Sequence, residues 1–193
     1  MSFAHFLREA WDIPCDKRVS RKKLKPLVFE HFNVSGFCQM KMDLDTTRIR
    51  GVWLALSTEH RFAKQLSNNV IVTARSLNQC WERFVYIKEM MHAFDSPEEW
   101  ARQASDFENI CRLSSDPVKD HRPTLSEGRA LIRAVLVSCN PDARDVYVQK
   151  LNDKELDTYT IATELRIPEQ HVVNILLTDT YAQAKDLELS VST

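Results

Sequence analysis

NQCWERFVYIKEMMHAFD, residues 78–95, sets Trp81, Phe84, Ile87, Met91 and Phe94 at steps of three and four. That spacing gathers five large apolar side chains on one face of an α-helix and predicts a helix over 77–94. Within it, Lys88 and His92 stand four residues apart and so share a face, with Glu89 between them. Taken by themselves, Glu89 and His92 read as a surface pair at i, i+3, and Arg83 reads as a solvated charge.

Upstream of this helix the apolar period changes to two. Cys38, Met40, Met42 and Leu44 alternate with Gln39, Lys41 and Asp43, the pattern of a half-buried strand. IRGVWLAL (49–56) and VIVT (70–73) are the other strand candidates. Earlier still, Phe3, Phe6, Leu7, Ala10 and Trp11 form an amphipathic helical stripe that Ile13-Pro14 ends, and a basic helix is expected around residues 20–32. Downstream the signals are helical. Ser96-Pro97-Glu98-Glu99 supplies a cap, an N1 proline and a capping-box glutamate for a helix to Leu113, and a polar loop over 114–123 follows. Thr124-Leu125-Ser126-Glu127 repeats the box and opens a helix through Val137, and Asn140-Pro141 starts another. Helices over 154–166 and 168–187 follow. The predicted fold is α+β: a small three-stranded sheet packed on a mainly helical body, with a C-terminal helix pair.

The chain has 193 residues, with 26 Lys+Arg against 27 Asp+Glu. That length suits one domain with a real core. Its three glycines, Gly36, Gly51 and Gly128, lie too far apart to build a phosphate loop or a dinucleotide fingerprint. No apolar run is long enough for a membrane span, and MSFAHFLREAWD lacks the apolar core of a signal peptide, so a cytoplasmic protein with no membrane partner is expected. The five cysteines are widely spaced with no CxxC pair, which favours buried thiols over a disulfide framework or a zinc ribbon. The four tryptophans read as core or interface anchors.

The near-zero net charge hides two opposed regions. Lys17, Arg18, Arg21, Lys22, Lys23 and Lys25 form a run without an acid, whereas residues 153–188 hold eight acids against three bases. Without interleaved aromatics, the basic run reads as a solvated face or a surface for an acidic protein, and less as a nucleic-acid patch. Ala162, Leu165, Ile167, Val172 and Ile175 suit the packing of a helix-turn-helix pair. Its second helix, however, would offer Glu169, Gln170, an exposed His171 and Asn174 to DNA from within the acidic region, where phosphates are repelled. Protein packing is the preferred reading of that pair.

Residues 78–95 resemble the active-site helix of the ImmA/IrrE family of zincin-like metallopeptidases. In that family an Arg-Phe pair and three residues precede HExxH; here Arg83-Phe84 and Val85-Tyr86-Ile87 precede KEMMH, residues 88–92. Glu127, Ala130, Ala134 and Pro141 resemble the family's downstream ExxAxxxA helix, and Ile161–Leu176 its closing IAxxLxIPxxxVxxIL segment. The resemblance spans roughly residues 35–178. It implies a zincin-like domain over 34–193 behind an N-terminal helical, basic segment over 1–33, the two forming one compact unit.

HExxH works because two histidines one turn apart bind zinc while the intervening glutamate acts as general base. Here Lys88 takes the first histidine's place, and an ammonium has no lone pair and repels a divalent cation. Lys88, Glu89, His92 and Glu127 thus make up a degenerate site, with Lys88 expected to pair with Glu127 in the metal's stead. Glu127 is equally explained by the Thr124 capping box. The family's active members act on helix-turn-helix repressors in phages, mobile elements and stress responses. The resemblance therefore implies a pseudoenzyme without cofactor that binds a transcriptional repressor or another protein. One alternative is an active zinc peptidase, with Glu89 as base and His92 and Glu127 as ligands. Another is a DNA-binding regulator using the helix pair and residues 17–25.

Overall fold

The computed structural model describes residues 2–13, 18–32, 36–55, 69–96, 99, 122–176, 181–182 and 186. Three strands, β1 (Cys38–Met42), β2 (Gly51–Ala55) and β3 (Asn69–Ala74), form a sheet in the order β1-β3-β2. β3 runs parallel to β1, with Cys38 opposite Val70, and antiparallel to β2, with Trp53 opposite Ile71. Two-residue alternation sorts the side chains: Ile71 and Trp53 enter the main core, while Val52, Val70 and Val72 form a small cluster with Cys38 and Met40. β1 ends at Met42, two residues short of the alternation that Leu44 extends.

Seven α-helices make up the rest of the described fold: α1 (Phe3–Trp11), α2 (Arg21–Phe32), α3 (Gln79–Met91), α4 (Arg122–Ser138), α5 (Pro141–Asn152), α6 (Thr158–Leu165) and α7 (Glu169–Leu176). The α+β class with a small sheet and a helical body is as the sequence indicates. One main core joins Phe6 and Leu7 of α1, Leu24 and Val28 of α2, Ile87 of α3, Leu136 of α4 and Ile161 and Ile175 of the last pair. The N-terminal segment is thus part of the same core, and the indole N–H of Trp11 ties it to the Leu136 carbonyl at 2.9 Å.

α3 sits against β2 and β3, and the glycine at the head of β2 permits the approach. A Cβ at Gly51 would overlap Val85 of α3 and stand 2.9 Å from the Val72 carbonyl oxygen. The Asn78 side chain caps α3 by accepting from the Trp81 amide, and a 3-10 turn, His92–Phe94, continues it. α5 starts as Asn140-Pro141 indicates, with the Asn140 side chain accepting from the Ala143 amide at 2.8 Å. In the last pair, Ala162, Leu165, Ile167, Val172 and Ile175 are all buried, as their spacing requires.

Three readings of the sequence need correction. α4 begins at Arg122, so Thr124 is inside the helix and cannot be its N-cap; Pro123 fits the first turn, where its missing N–H breaks no helical bond. Residues 154–157 are turn rather than helix, and Asp157 caps α6 through the Thr160 amide. His171 is buried instead of exposed, stacked on Phe84 at 4.2 Å, where burial and then the nearby Arg50 lower its pKa to about 4. The helix body expected over 100–113 lies outside the described residues, although Glu99 does accept from the Ser96 amide at 3.0 Å.

Candidate functional site

The last turn of α3 and the second turn of α4 bring Lys88, Glu89, His92 and Glu127 together. Lys88 and His92 share one helix face, and Glu127 reaches both: the Lys88 ammonium is hydrogen-bonded to Glu127 Oε2, and His92 Nε2 lies 3.3 Å from Glu127 Oε1. Glu89 turns toward β2, with Lys88 Nζ 3.0 Å from its Oε1 and His92 Nε2 3.6 Å from its Oε2. These are close ion pairs without hydrogen-bond alignment, and both Glu89 oxygens lack a hydrogen bond among the described residues. Glu89 and His92 are buried, contrary to a surface pair, and Glu127 is the open member with 39% of its side chain exposed.

His92 is fixed from behind by residues that the sequence pattern does not mark. Its Nδ1 lies 2.8 Å from Asp95 Oδ2 and 3.1 Å from Ser126 Oγ, and Ser126 donates to the same Asp95 oxygen at 2.6 Å. Arg133 donates to the other Asp95 oxygen at 2.9 Å. This network directs Nε2 toward the two glutamates, while the Trp53 indole stacks across the imidazole at 6.5 Å. A local signal for it does exist. Asp95 follows His92 by three residues, and Ser126 and Arg133 stand seven apart, two turns along one face of α4.

Charge compensation here is internal. Burial opposes ionisation of Lys88, but Glu127 and Glu89 more than reverse this and hold the ammonium above the usual lysine range. Burial likewise opposes protonation of His92, yet Asp95 and Glu127 raise its pKa to about 9, so the imidazole is a cation at neutral pH. Glu127, although partly desolvated, is held well below the carboxylate range by Lys88 and His92. For Glu89 burial wins, and its carboxyl is raised against the pull of Lys88.

A zinc ion can be tested against this arrangement. One ligand atom each from Glu89, His92 and Glu127 lies within 4.8 Å of the others. Ligands of a tetrahedral zinc sit about 3.3–3.6 Å apart, and the 3.3 and 3.6 Å separations from His92 Nε2 match. The donor set does not fit as it stands. Lys88 brings a permanent positive charge onto both carboxylates and has no lone pair to offer a metal.

The basic run does not form one surface. Arg18 donates to the Glu164 carbonyl at 3.1 Å, and Arg21 and Lys25 lie over the Tyr86 ring at 5.2 and 5.1 Å. Lys22 and Lys23 are exposed, and Lys17 is outside the described residues. Arg83, read as solvated, is buried at 6% exposure. Cys38 and Cys80 are half-buried and Cys139 buried, all as free thiols, and no described helix is long and apolar enough to cross a membrane. Comparisons with protein-family models, curated proteins and solved structures return no match to this chain.

Proposed function

We propose that this chain is a non-catalytic zincin-like protein, a regulatory module that binds a transcriptional repressor or another protein partner. The observation that carries the reading is Lys88. Its ammonium stands one helical turn before His92, bonded to Glu127 and 3.0 Å from Glu89. A cation that is part of the chain thus stands against both carboxylates, in the place of an ion from solution. What such a site retains is a rigid scaffold, with Asp95, Ser126 and Arg133 buried behind it, and rigid scaffolds suit recognition.

The test is metal content after purification with zinc supplied. The wild type is expected to hold far less than one zinc per chain. Lys88→His, which supplies the missing imidazole beside Glu127, is expected to approach one, and adding His92→Ala should abolish the gain. Failure of Lys88→His to bind zinc in a folded protein would remove the zincin-like frame. Stoichiometric zinc on the wild type, lost in His92→Ala, would assign the chain instead to the active peptidases, with Glu89 as base. The partner half is tested with purified components. Metal-free protein should bind a helix-turn-helix regulator, whereas salt-sensitive DNA binding lost on neutralising Lys22 and Lys23 would favour a DNA-binding regulator.

A further inference from the structure

The first turns of α3 hold a second concentration of charge. Arg83 Nη2 donates to the Val19 carbonyl at 2.6 Å, just before the chain enters α2. Its Nη1 is buried with no hydrogen-bond partner among the described residues. Arg21 opens α2, and its Nη1 is likewise buried without a hydrogen bond, 3.9 Å from Glu82 Oε1. Arg18 is held to the Glu164 carbonyl in the last turn of α6, and Arg166 caps that helix in the left-handed region at φ 52°. Burial, followed by the fields of Arg18, Arg21 and Arg166, lowers the Arg83 pKa to about 10.

The nearby carboxylates do not satisfy Arg83: Glu82 pairs with Arg21 at 3.9 Å, and none among the described residues accepts a hydrogen bond from Arg83 Nη1. Glu82 takes the Lys41 ammonium at 2.8 Å, and Glu164 takes the Tyr147 hydroxyl at 3.0 Å. The N-terminus of α2 adds to the imbalance. This positive end of a helix dipole is normally complemented by acids, but its first turn has none and begins with Arg21, Lys22 and Lys23. A buried, partly unpaired guanidinium among three others is costly unless an anion joins it.

We infer that Arg18, Arg21, Arg83 and Arg166 form a binding site for a phosphoryl group, at the junction of the α2 N-terminus, α3 and the turn between α6 and α7. Guanidinium forks match the several oxygens of a phosphate, and its charge near −2 offsets more of the cluster than one carboxylate does. Binding would link three elements that are distant in sequence. The inference is independent of the reading of the Lys88 site.

Calorimetric titration at constant ionic strength tests it, with inorganic phosphate and adenosine monophosphate as probes. Saturable binding is expected. Its half-saturation concentration should rise at least about tenfold in Arg166→Gln and in Arg21→Gln, and stay unchanged in Lys150→Gln on the exposed face of α5. These variants leave the buried Arg83 and its hydrogen bond to Val19 in place. Tighter binding of the nucleotide would mark a phosphate ester as the source, and equal binding free phosphate; both support the site. Absence of saturable binding, binding indifferent to both arginine variants, or binding to duplex DNA alone would overturn it.

Discussion

Two cations five residues apart on α3, Arg83 buried and Lys88 half-buried, have opposite surroundings. Lys88 faces Glu127 and Glu89 and is held in its charged form more firmly than a lysine in water. Arg83 lies in the field of Arg18, Arg21 and Arg166 and is held less firmly than an arginine in water. Burial acts against both; what differs is the sign of the neighbours. The contrast teaches that a buried charge cluster can be complete within a chain or can require something from outside it. The C-terminal turn of α3 is complete, and its first turns are not.

The largest expected effect comes from breaking the complete cluster at its hub. Asp95 is buried and serves His92, Ser126 and Arg133 at once. Asp95→Ala removes the acceptor shared by His92 Nδ1, Ser126 and Arg133, and a loss of about 3–5 kcal/mol is expected in urea unfolding at pH 7. A loss below about 1 kcal/mol would mean that the cluster is not self-sufficient.

A pH titration of stability probes the same cluster without mutation. The groups facing His92 are Glu89, Glu127 and Asp95, which raise its pKa to about 9. A raised histidine stabilises fully below its unfolded pKa near 6.5 and loses that contribution as pH climbs through its folded value. Unfolding free energy should therefore fall by on the order of 3 kcal/mol between about pH 6.5 and 9. The fall should vanish in His92→Gln, and a profile as steep in that variant as in the wild type would assign the pH dependence to other groups.

Substituting the two cations in parallel tests the comparison directly. Lys88→Met strips Glu89 of its nearest cation inside the protein, and a loss of about 2 kcal/mol at pH 8 is expected. The loss should shrink as pH falls, because the raised Glu89 carboxyl takes up a proton before an ordinary carboxylate does. Arg83→Met removes one hydrogen bond to Val19 but also relieves repulsion from three arginines, so a change within about 1 kcal/mol is expected in phosphate-free buffer. Equal losses at the two positions would erase the distinction.

Much of the frame was legible because it is local. Period two in 38–42 and period three to four in 79–91 follow from backbone geometry, and KEMMH puts Lys88 and His92 on one face wherever the helix docks. What was not legible depends on tertiary docking. Nothing around Arg83 announces that residues 18–21 will cover it, nor does anything around His171 show that Phe84 will stack on it. The T-x-x-E pattern at 124–127 was misleading for a related reason. It matches a capping box and also occurs inside a helix, and α4 already runs from Arg122. Glu127 has its role because α4 crosses α3 beside Lys88, a contact 39 residues apart in sequence.

The smallest predicted effect tests whether the incomplete cluster repels itself. Arg166 is exposed, and its replacement removes no hydrogen bond described in the structure. An ordinary surface arginine replaced by glutamine changes stability little in either direction. Here the sign is fixed by the neighbours: with Arg18, Arg21 and Arg83 close by, Arg166→Gln should raise stability by up to about 0.5 kcal/mol in dilute, phosphate-free buffer. Screening sharpens the point, because at 1 M sodium chloride the Debye length falls to about 3 Å and the gain should disappear. Excess phosphate should reverse the order, since the wild type then gains a ligand that the variant holds poorly. A destabilised variant in dilute buffer would show that Arg166 makes a favourable contact there, and that the arginines do not form one repulsive group.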